Sequence, residues 1–205
     1  MKFTLCTENK VFPYLIIDDF YDKIEQELIW EELDFHRNDF EYDKGTGTHG
    51  VAWDENNKPI AKLKRIYLEE IYSNRQDSNI LNLYSKIFSK NVRTAYQLTT
   101  PSWRTFEITN KDVTMINYYE DQDNYGSHFD KFMHTAVLWF YKTPKRFKGG
   151  NIIFPQQSGT VECVHNRLIM FPSYYLHEVE KVEMEEQYRN KGLGRYSIVH
   201  FYNKE

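Results

Sequence analysis

The sequence predicts a mainly β fold of the α+β class, with helices in the first half of the chain and strands in the second. After Pro101 it breaks into short aromatic and β-branched runs separated by turn signals. An aromatic content of 17% also favours strands, whose pleated surfaces pack such side chains well. Successive short strands of this kind are typical of a sandwich or barrel. The runs are 113–119, 134–142, 151–154, 161–164, 168–171 and 196–202.

The first half is expected to support this core. Residues 11–20 are apolar and β-branched enough for a buried strand, and Asp22 with Glu25 then forms a helix capping box. The apolar residues that follow at helical spacing are Ile24, Leu28, Ile29 and Leu33. Between residues 64 and 96, helical spacing again predicts core-covering helices.

Residues 43–59 are rich in Gly, Thr and Asn and show no hydrophobic period, which predicts a long loop or an irregular hairpin. Loops of this length in compact domains are often lids or disordered segments. A flap over an active site is one interpretation of this segment, and a plain surface loop is the other.

The 205 residues suit one domain, with helical and loop support mainly at 20–100 and the strand-rich core mainly at 101–205. A net charge of −4 gives no basic surface for nucleic acid. Cys6 and Cys163 are not ligand-spaced and form no disulfide framework. No run of about 18 apolar residues or secretory leader is present, so we expect an intracellular, soluble, cytoplasmic protein without membrane attachment. The oligomeric state stays open.

A candidate metal motif lies in the stretch YGSHFD. In an extended strand, residues two apart point to the same face, so His128 and Asp130 share one face. A second histidine from a neighbouring strand would complete the two-histidine, one-carboxylate facial triad of non-haem Fe(II) oxygenases. Taken alone, a His-x-Asp pair is weak support, because most such pairs are structural or exposed.

His177 is the best candidate for the third ligand, because it lies at a turn-to-strand junction that can place an imidazole beside another strand. His134 shares the parity of the pair but lies roughly 20 Å away if the strand continues straight. His200 has the parity opposite to Arg195 on the last strand. The remaining histidines lie in turn or helix-end contexts and are expected at the surface: His36, His49 and His165.

Arg195 heads the last predicted strand and shares a face with Ser197. An arginine in a core strand is costly to bury without an anionic partner. A bound dicarboxylate, held by the guanidinium fork and the Ser197 hydroxyl, would be that partner. The alternative is a structural ion pair with a nearby glutamate.

These segments, taken in order, resemble the Fe(II)- and 2-oxoglutarate-dependent dioxygenases and, among them, the prolyl-hydroxylase-like (prolyl 4-hydroxylase) branch. The matching series is NYYEDQDNYGSHFD, VLWFYKT, FKGGNIIFP, RLIMFPSYYLHEVEKV and RYSIVHFY. The opening VFPYLIIDDFYDKIEQEL also looks like the family's first strand and helix. In two places the chain departs from the family pattern: Asn151 replaces a usual glutamate, and the segment between His177 and Arg195 is longer than common.

The resemblance implies a double-stranded β-helix, a cupin-like jelly roll, with N-terminal supporting helices. It also implies that His128, Asp130 and His177 are the iron ligands and that Arg195 pairs with the far carboxylate of 2-oxoglutarate. It further implies that two tyrosines line the cosubstrate pocket, Tyr119 and Tyr141. Period two favours Met115, Asn117 and Tyr119 as the inward set, although a slip of one residue would exchange Tyr119 with Tyr118.

The implied reaction consumes 2-oxoglutarate and O2 at Fe(II), releases succinate and CO2, and hydroxylates a C–H bond. The resemblance favours a prolyl residue in a peptide or protein, laid beneath residues 43–59, with Trp139, Tyr174 and Tyr175 as candidate groove residues. The alternatives are the same chemistry on another side chain or a small metabolite, or a non-catalytic jelly-roll binding module.

Overall fold

The computed structural model of the protein describes residues 1–43 and 51–205. Five α-helices lie in these residues: α1 Lys23–Phe35, α2 Leu68–Ile71, α3 Asn79–Leu83, α4 Lys90–Thr99 and α5 Trp103–Glu107. The strands of the first half are β1 Lys2–Cys6, β2 Tyr14–Asp18, β3 Glu41–Tyr42, β4 Ala61–Lys62 and β5 Lys64–Tyr67. Those of the second half are β6 Lys111–Tyr119, β7 Asn124–His128, β8 His134–Phe140, β9 Phe147–Gly149, β10 Ile152–Phe154, β11 Gly159–Val161, β12 Leu168–Pro172, β13 His177–Val179, β14 Val182–Met184 and β15 Arg195–Asn203.

Two main sheets are formed by the described strands, and every pairing within them is antiparallel. The major sheet has the order β1-β2-β12-β8-β15-β6-β5-β3, and the minor sheet has the order β11-β10-β13-β7-β4. A short β14-β9 ribbon completes the strand set within the described chain. The last strand, β15, lies between β8 and β6 at the centre of the major sheet. The β-rich fold predicted from the sequence is therefore confirmed.

The major sheet separates two hydrophobic clusters because its strands alternate in period two. On β15, Tyr196 and Ile198 pack in the cluster shared with the helices, which includes Ile29 and Leu33 of α1. Val199 and Phe201 face the other way, into a cluster shared with the minor sheet. The space between the two sheets is therefore a separate core, and it holds the inward-facing polar residues described below.

The capping box predicted for α1 is confirmed. The Asp22 side chain accepts a hydrogen bond from the Glu25 backbone N–H, and the Glu25 carboxylate accepts one from the Asp22 N–H. Ile29 and Leu33 are buried, whereas Ile24 is 71% exposed, so the predicted apolar face is narrower than expected.

The helical prediction for residues 64–96 is wrong at its start, because Lys64–Tyr67 forms a strand that pairs with β6. The pairing places Arg65 opposite Asn117, and Glu41 of the edge strand β3 pairs with Arg65 on the other side. The helices α2, α3 and α4 follow as predicted. Within residues 1–43 and 51–205, no helix has the length and apolar character needed to cross a membrane.

His134 opens β8, and its ring lies on the helical side of the major sheet. Its Nδ1 is 2.8 Å from the Tyr96 hydroxyl and its Nε2 is 2.7 Å from the Thr105 hydroxyl. The chain turns between Asp130 and β8, so His134 and the candidate metal motif lie on opposite faces of the sheet. Burial lowers the pKa of His134 to about 4.

We expect this histidine to make the fold acid-sensitive. Its folded-state pKa lies below the ordinary value of about 6.5, so its stability contribution is complete above that pH and is lost as the pH falls from about 6.5 toward 4. The loss should amount to roughly 2–3 kcal/mol of unfolding free energy. Urea unfolding of wild type and His134→Gln between about pH 7 and pH 4 measures it. Parallel pH profiles for the two proteins would contradict the expectation.

Candidate metal centre

Three metal-binding side chains converge between the two sheets. His128 ends β7 and His177 begins β13, and the two residues are cross-strand partners in the minor sheet. Asp130 follows two residues after β7. Its two carboxylate oxygens lie 3.6 Å from His128 Nε2 and 3.5 Å from His177 Nε2. One donor atom from each residue lies within 4.8 Å of the others, and they form the one His/Cys/Asp/Glu group of this kind in the described residues.

Backbone carbonyls orient both imidazoles. His128 Nδ1 lies 2.8 Å from the Gly126 oxygen, and His177 Nδ1 lies 2.9 Å from the Tyr175 oxygen. In each ring the proton is therefore placed on Nδ1, and the Nε2 lone pair faces Asp130. Burial, followed by the neighbouring His177, lowers the pKa of His128 to about 4. His128 is thus neutral near pH 7, which is the form that binds a metal ion.

Asp130 is held by groups that the sequence did not indicate. The Thr135 hydroxyl donates to Asp130 Oδ2 at 2.7 Å, and the Ser173 hydroxyl lies 2.8 Å from that of Thr135. The Asp130 N–H also donates to the Ser173 carbonyl at 3.1 Å. Such outer hydrogen bonds fix the orientation of a ligating carboxylate.

We expect Thr135→Val to lower metal affinity by about 10- to 100-fold, because it removes the hydroxyl that orients Asp130 while keeping the side-chain volume. Calorimetric titration with Mn(II) measures this affinity. Thr114→Val is the matched control, since Thr114 is also buried in the major sheet but bonds His200 instead. Equal losses in the two variants would show a general packing effect.

Arg195 is a charged side chain in the inter-sheet core and is fully buried. Its Nη1 donates to the Ser197 hydroxyl at 3.2 Å, and its guanidinium carbon lies 4.6 Å from the centre of the Tyr119 ring. The atoms Nε and Nη2 have no hydrogen-bond partner in the described chain, and no carboxylate there forms an ion pair with Arg195. The structural ion pair considered from the sequence is therefore not formed within residues 1–43 and 51–205.

Gly150 makes room for this arginine. A Cβ atom at this position would lie 2.7 Å from Arg195 Cδ, and the glycine has a φ of +71°. Both the close approach and the left-handed backbone therefore require glycine here.

The predicted cosubstrate residues fall into two groups. Tyr119 and Ser197 lie with Arg195 on the inward side of the major sheet and line the inner cavity. Burial raises the pKa of Tyr119, an effect that Arg195 opposes, so its phenol keeps its proton. Tyr141 follows the end of β8, and its ring contacts Phe147 and His165. Neither Tyr141 nor the preceding inward-facing residue, Trp139, is among the residues that line this cavity, but the Trp139 ring lies 5.8 Å from the guanidinium carbon of Arg195.

Two adjoining cavities reach the candidate metal centre. The inner one, of about 30 Å³, extends from His128, Asp130 and His177 to Arg195 and Ser197. The outer one, of about 640 Å³, opens to solvent past aromatic side chains. The residues common to both cavities are Met115, Tyr125, His128, Asp130 and Phe201.

Tyr125 is part of the site, although a regular strand would place it on the face opposite to His128, three residues later. Its ring stacks on His128 with centroids 3.6 Å apart, and its hydroxyl accepts the Ala52 N–H at 2.9 Å. The register shifts here, so that His177 and Val179 oppose His128 and Tyr125, with one extra residue on β7. This bulge brings side chains three residues apart to the same side. The stacking of Tyr125 on His128 could have been predicted only from the bulge, and no sequence signal predicts a bulge at this position.

Arg65 and Tyr67 also line the outer cavity and were missed because residues 64–67 were expected to be helical. Arg65 is buried, pairs with Asp43 at 3.1 Å and donates to the Tyr67 hydroxyl at 3.1 Å.

The segment 43–59 is described only in part, since residues 44–50, including His49, lie outside the described residues. Val51, Ala52 and Trp53 line the outer cavity.

The aromatic groove prediction is wrong for two of its residues, since Trp139 and Tyr175 are 0% and 1% exposed. Tyr174 is exposed. Of the histidines expected at the surface, His36 is buried and bonds Asp39 and Tyr72. His165 is half-buried.

Comparison with known families agrees with this arrangement. Residues 114–203, which run from β6 to β15, match the model of the 2OG-Fe(II) oxygenase superfamily. The matched segment contains all three side chains of the candidate metal centre and Arg195. No curated protein sequence matches the chain significantly.

Solved structures with a similar fold include three prolyl hydroxylases. A Pseudomonas putida prolyl-4-hydroxylase superposes with a TM-score of 0.62 at 16% identity, covering 94% of this chain and 92% of that one. A Trichoplax adhaerens prolyl hydroxylase in complex with a hypoxia inducible factor peptide fragment gives 0.58 at 13% identity, with coverages of 93% and 83%. A viral collagen prolyl hydroxylase from Paramecium Bursaria Chlorella virus-1, in a 2OG complex, gives 0.52 at 12% identity, with coverages of 97% and 98%. These likenesses confirm the jelly-roll fold.

Proposed function

We propose, from the premise that residues 114–203 make this chain a member of the 2OG-Fe(II) oxygenase superfamily, that it hydroxylates a prolyl residue in a peptide or protein. The chain is an oxygenase that uses Fe(II), 2-oxoglutarate and O2. The prolyl substrate and the residue roles below belong to the proposal.

The metal ligands in this proposal are His128, Asp130 and His177. Two imidazole nitrogens and one carboxylate oxygen are the donor set of non-haem Fe(II) oxygenases, and this arrangement leaves positions open for other ligands. The buried Nε2 atoms face the carboxylate, and both Nδ1 atoms are held by backbone carbonyls. The donor set therefore fits Fe(II).

Arg195 is the proposed anchor for the far carboxylate of 2-oxoglutarate, with Ser197 and Tyr119 beside it. The unpaired Nε and Nη2 atoms are the supporting observation, because a buried guanidinium without an acceptor is costly. Tyr119 keeps its phenolic proton and can donate it to the cosubstrate. Tyr141 stays a predicted pocket residue, supported by the family resemblance alone.

The substrate would enter through the outer cavity. Its walls combine aromatic rings, among them Trp53 and Phe129, with the hydroxyls of Tyr67 and Tyr125 and the charge of Arg65. Trp53 and Phe129 are 46% and 54% exposed, so they can contact an arriving peptide. An apolar wall with few polar groups suits the pyrrolidine ring of proline.

Bound Fe(II) with 2-oxoglutarate and O2 supplies the oxidising chemistry, in which one oxygen atom enters the substrate C–H bond and the other enters succinate as CO2 leaves. The protein contributes orientation. In the proposal, His128 and His177 aim their Nε2 atoms at the metal position, Thr135 holds Asp130, and Arg195 fixes one end of the cosubstrate. A peptide seated against the aromatic walls of the outer cavity would exclude water from the reacting end of the cosubstrate.

The observation that carries the proposal is that His128 and Asp130 line both the outer cavity and the inner cavity, which also holds Arg195. The test is incubation with Fe(II), ascorbate, 2-oxoglutarate and a panel of proline-containing peptides, each paired with its alanine counterpart. We expect succinate release and a mass gain of one oxygen in at least one proline peptide, and no gain in its alanine partner.

Succinate release without a mass gain in any proline peptide would contradict the prolyl substrate and leave the oxygenase activity standing. Equal oxygen incorporation into both members of a pair would move the reaction to another side chain. Fragment-ion spectra of the product locate the oxygen.

A further inference from the structure

Trp139 is a buried donor without an acceptor. The residue is 0% exposed on β8, and its indole Nε1 has no hydrogen-bond partner in residues 1–43 and 51–205. A buried indole N–H normally finds a partner, because leaving it unpaired costs the whole hydration of the group. An unpaired donor at this position therefore points to a ligand that supplies the acceptor.

The position of Trp139 in the sheet indicates what kind of ligand would accept this hydrogen bond. Trp139 lies opposite Ser197 across the β8–β15 pairing, on the inward side of the major sheet. The centre of its ring is 5.8 Å from the guanidinium carbon of Arg195, whose Nε and Nη2 are also unpaired. Two adjacent side chains thus hold three unpaired donors, and a carboxylate has enough lone pairs to accept from all of them.

We propose that the Trp139 indole N–H donates to the same carboxylate of 2-oxoglutarate that Arg195 binds. The inference rests on the proposed function, because it assumes that this pocket takes 2-oxoglutarate. Trp139 then acts as a second anchor beside the arginine and favours a dicarboxylate over a 2-oxo acid with an apolar end.

Strand geometry explains why the tryptophan rather than Tyr141 takes this place. The β8–β15 pairing ends at Phe140 and Tyr196, so Tyr141 lies beyond the ladder. Its ring turns toward Phe147 and His165. Trp139 lies two residues earlier, has the same parity and remains inside the pairing.

The test compares two ligands in the Zn(II)-loaded protein by calorimetry, since Zn(II) accepts imidazole and carboxylate ligands without redox chemistry. One ligand is 2-oxoglutarate, and the other is 2-oxopentanoate, which has a methyl group in place of the far carboxylate. We expect Trp139→Phe to weaken 2-oxoglutarate binding by about 10- to 100-fold, the loss of one hydrogen bond to a charged group. Binding of 2-oxopentanoate should change by less than about 3-fold, because it has no group there to lose.

Trp30→Phe is the matched control. Trp30 packs against Phe140 and Tyr196 on the opposite, helical face of the same strands. Losing its indole should leave the affinity for both ligands unchanged.

A second measurement needs no variant at Trp139 to fold. In the ¹⁵N-labelled wild-type protein with Zn(II), one indole N–H signal should move downfield and become protected from hydrogen exchange when 2-oxoglutarate is added, but not with 2-oxopentanoate. No such signal, or equal losses for the two ligands in Trp139→Phe, would overturn the inference.

The outcomes separate the inference from the proposed function. If wild type binds 2-oxoglutarate and Trp139→Phe binds it equally well, the tryptophan is not an anchor and the proposed function stands. If wild type binds no 2-oxoglutarate, the proposed function and the inference both fail.

Discussion

Replacing His177 with alanine is expected to abolish metal-dependent turnover of 2-oxoglutarate. The substitution removes one of the two Nε2 donors that face Asp130 and leaves an incomplete donor set. Loss of an outer hydrogen-bonding partner typically costs 10- to 100-fold in metal affinity, so we expect loss of a ligand itself to exceed about 100-fold. Succinate release and Mn(II) calorimetry measure the two effects.

Thermal melting gives an independent measurement. A metal ion that binds only the folded protein raises the melting temperature, so wild type should gain stability on addition of Mn(II) and His177→Ala should not. His165→Asn is the control, because His165 is a half-buried histidine that bonds Gln26 and lies outside the site. Unchanged turnover in His177→Ala would remove this residue from the proposed ligand set.

Replacing Arg195 with methionine is expected to weaken 2-oxoglutarate binding without lowering the free energy of unfolding. Losing a buried, hydrogen-bonded charge partner costs about 2–5 kcal/mol of binding, so the KM for 2-oxoglutarate should rise by roughly 30- to 4,000-fold. The ligand-free protein should keep its unfolding free energy or gain about 1 kcal/mol, because a buried charge with two unpaired N–H groups gives way to an apolar side chain. Urea unfolding and steady-state kinetics measure these opposite responses.

Arg195→Lys is the matched variant, since it keeps the positive charge and loses the planar fork. We expect an intermediate rise in KM, because lysine offers a point charge in place of a planar fork that can form two parallel hydrogen bonds with a carboxylate. A methionine variant that unfolds more easily and still binds 2-oxoglutarate normally would show that Arg195 is structural.

Much of this site could be predicted from the sequence, because alternate residues of a β-strand face the same side of the sheet. Period two on β15 correctly puts Arg195 and Ser197 on one face, and period two on β6 puts Tyr119 on the inward side with Asn117. His177 could be singled out from its turn-to-strand position, and its cross-strand pairing with His128 is what brings the two imidazoles together.

The parts that sequence reasoning missed depend on breaks in that regularity. The bulge in β7 puts Tyr125 against His128, and the end of β8 turns Tyr141 away while keeping Trp139 inside. The hydroxyl of Thr135 reaches Asp130 only because the chain turns between β7 and β8. Such contacts are set by tertiary geometry, which local periodicity does not encode.

The central place of β15 has a consequence for how the protein folds. This strand follows all its sheet neighbours in chain order, and β6 and β8 meet only through it. In a folding intermediate without β15, the major sheet would therefore consist of two separate halves. The pairing of β15 with β6 joins residues far apart in the sequence, and contacts of this kind form slowly. Such an intermediate already contains His128, Asp130 and His177, but it has no Arg195 in place. During refolding, metal binding is thus expected to appear before 2-oxoglutarate binding. The appearance of 2-oxoglutarate binding would then mark the step at which β15 pairs with its neighbours.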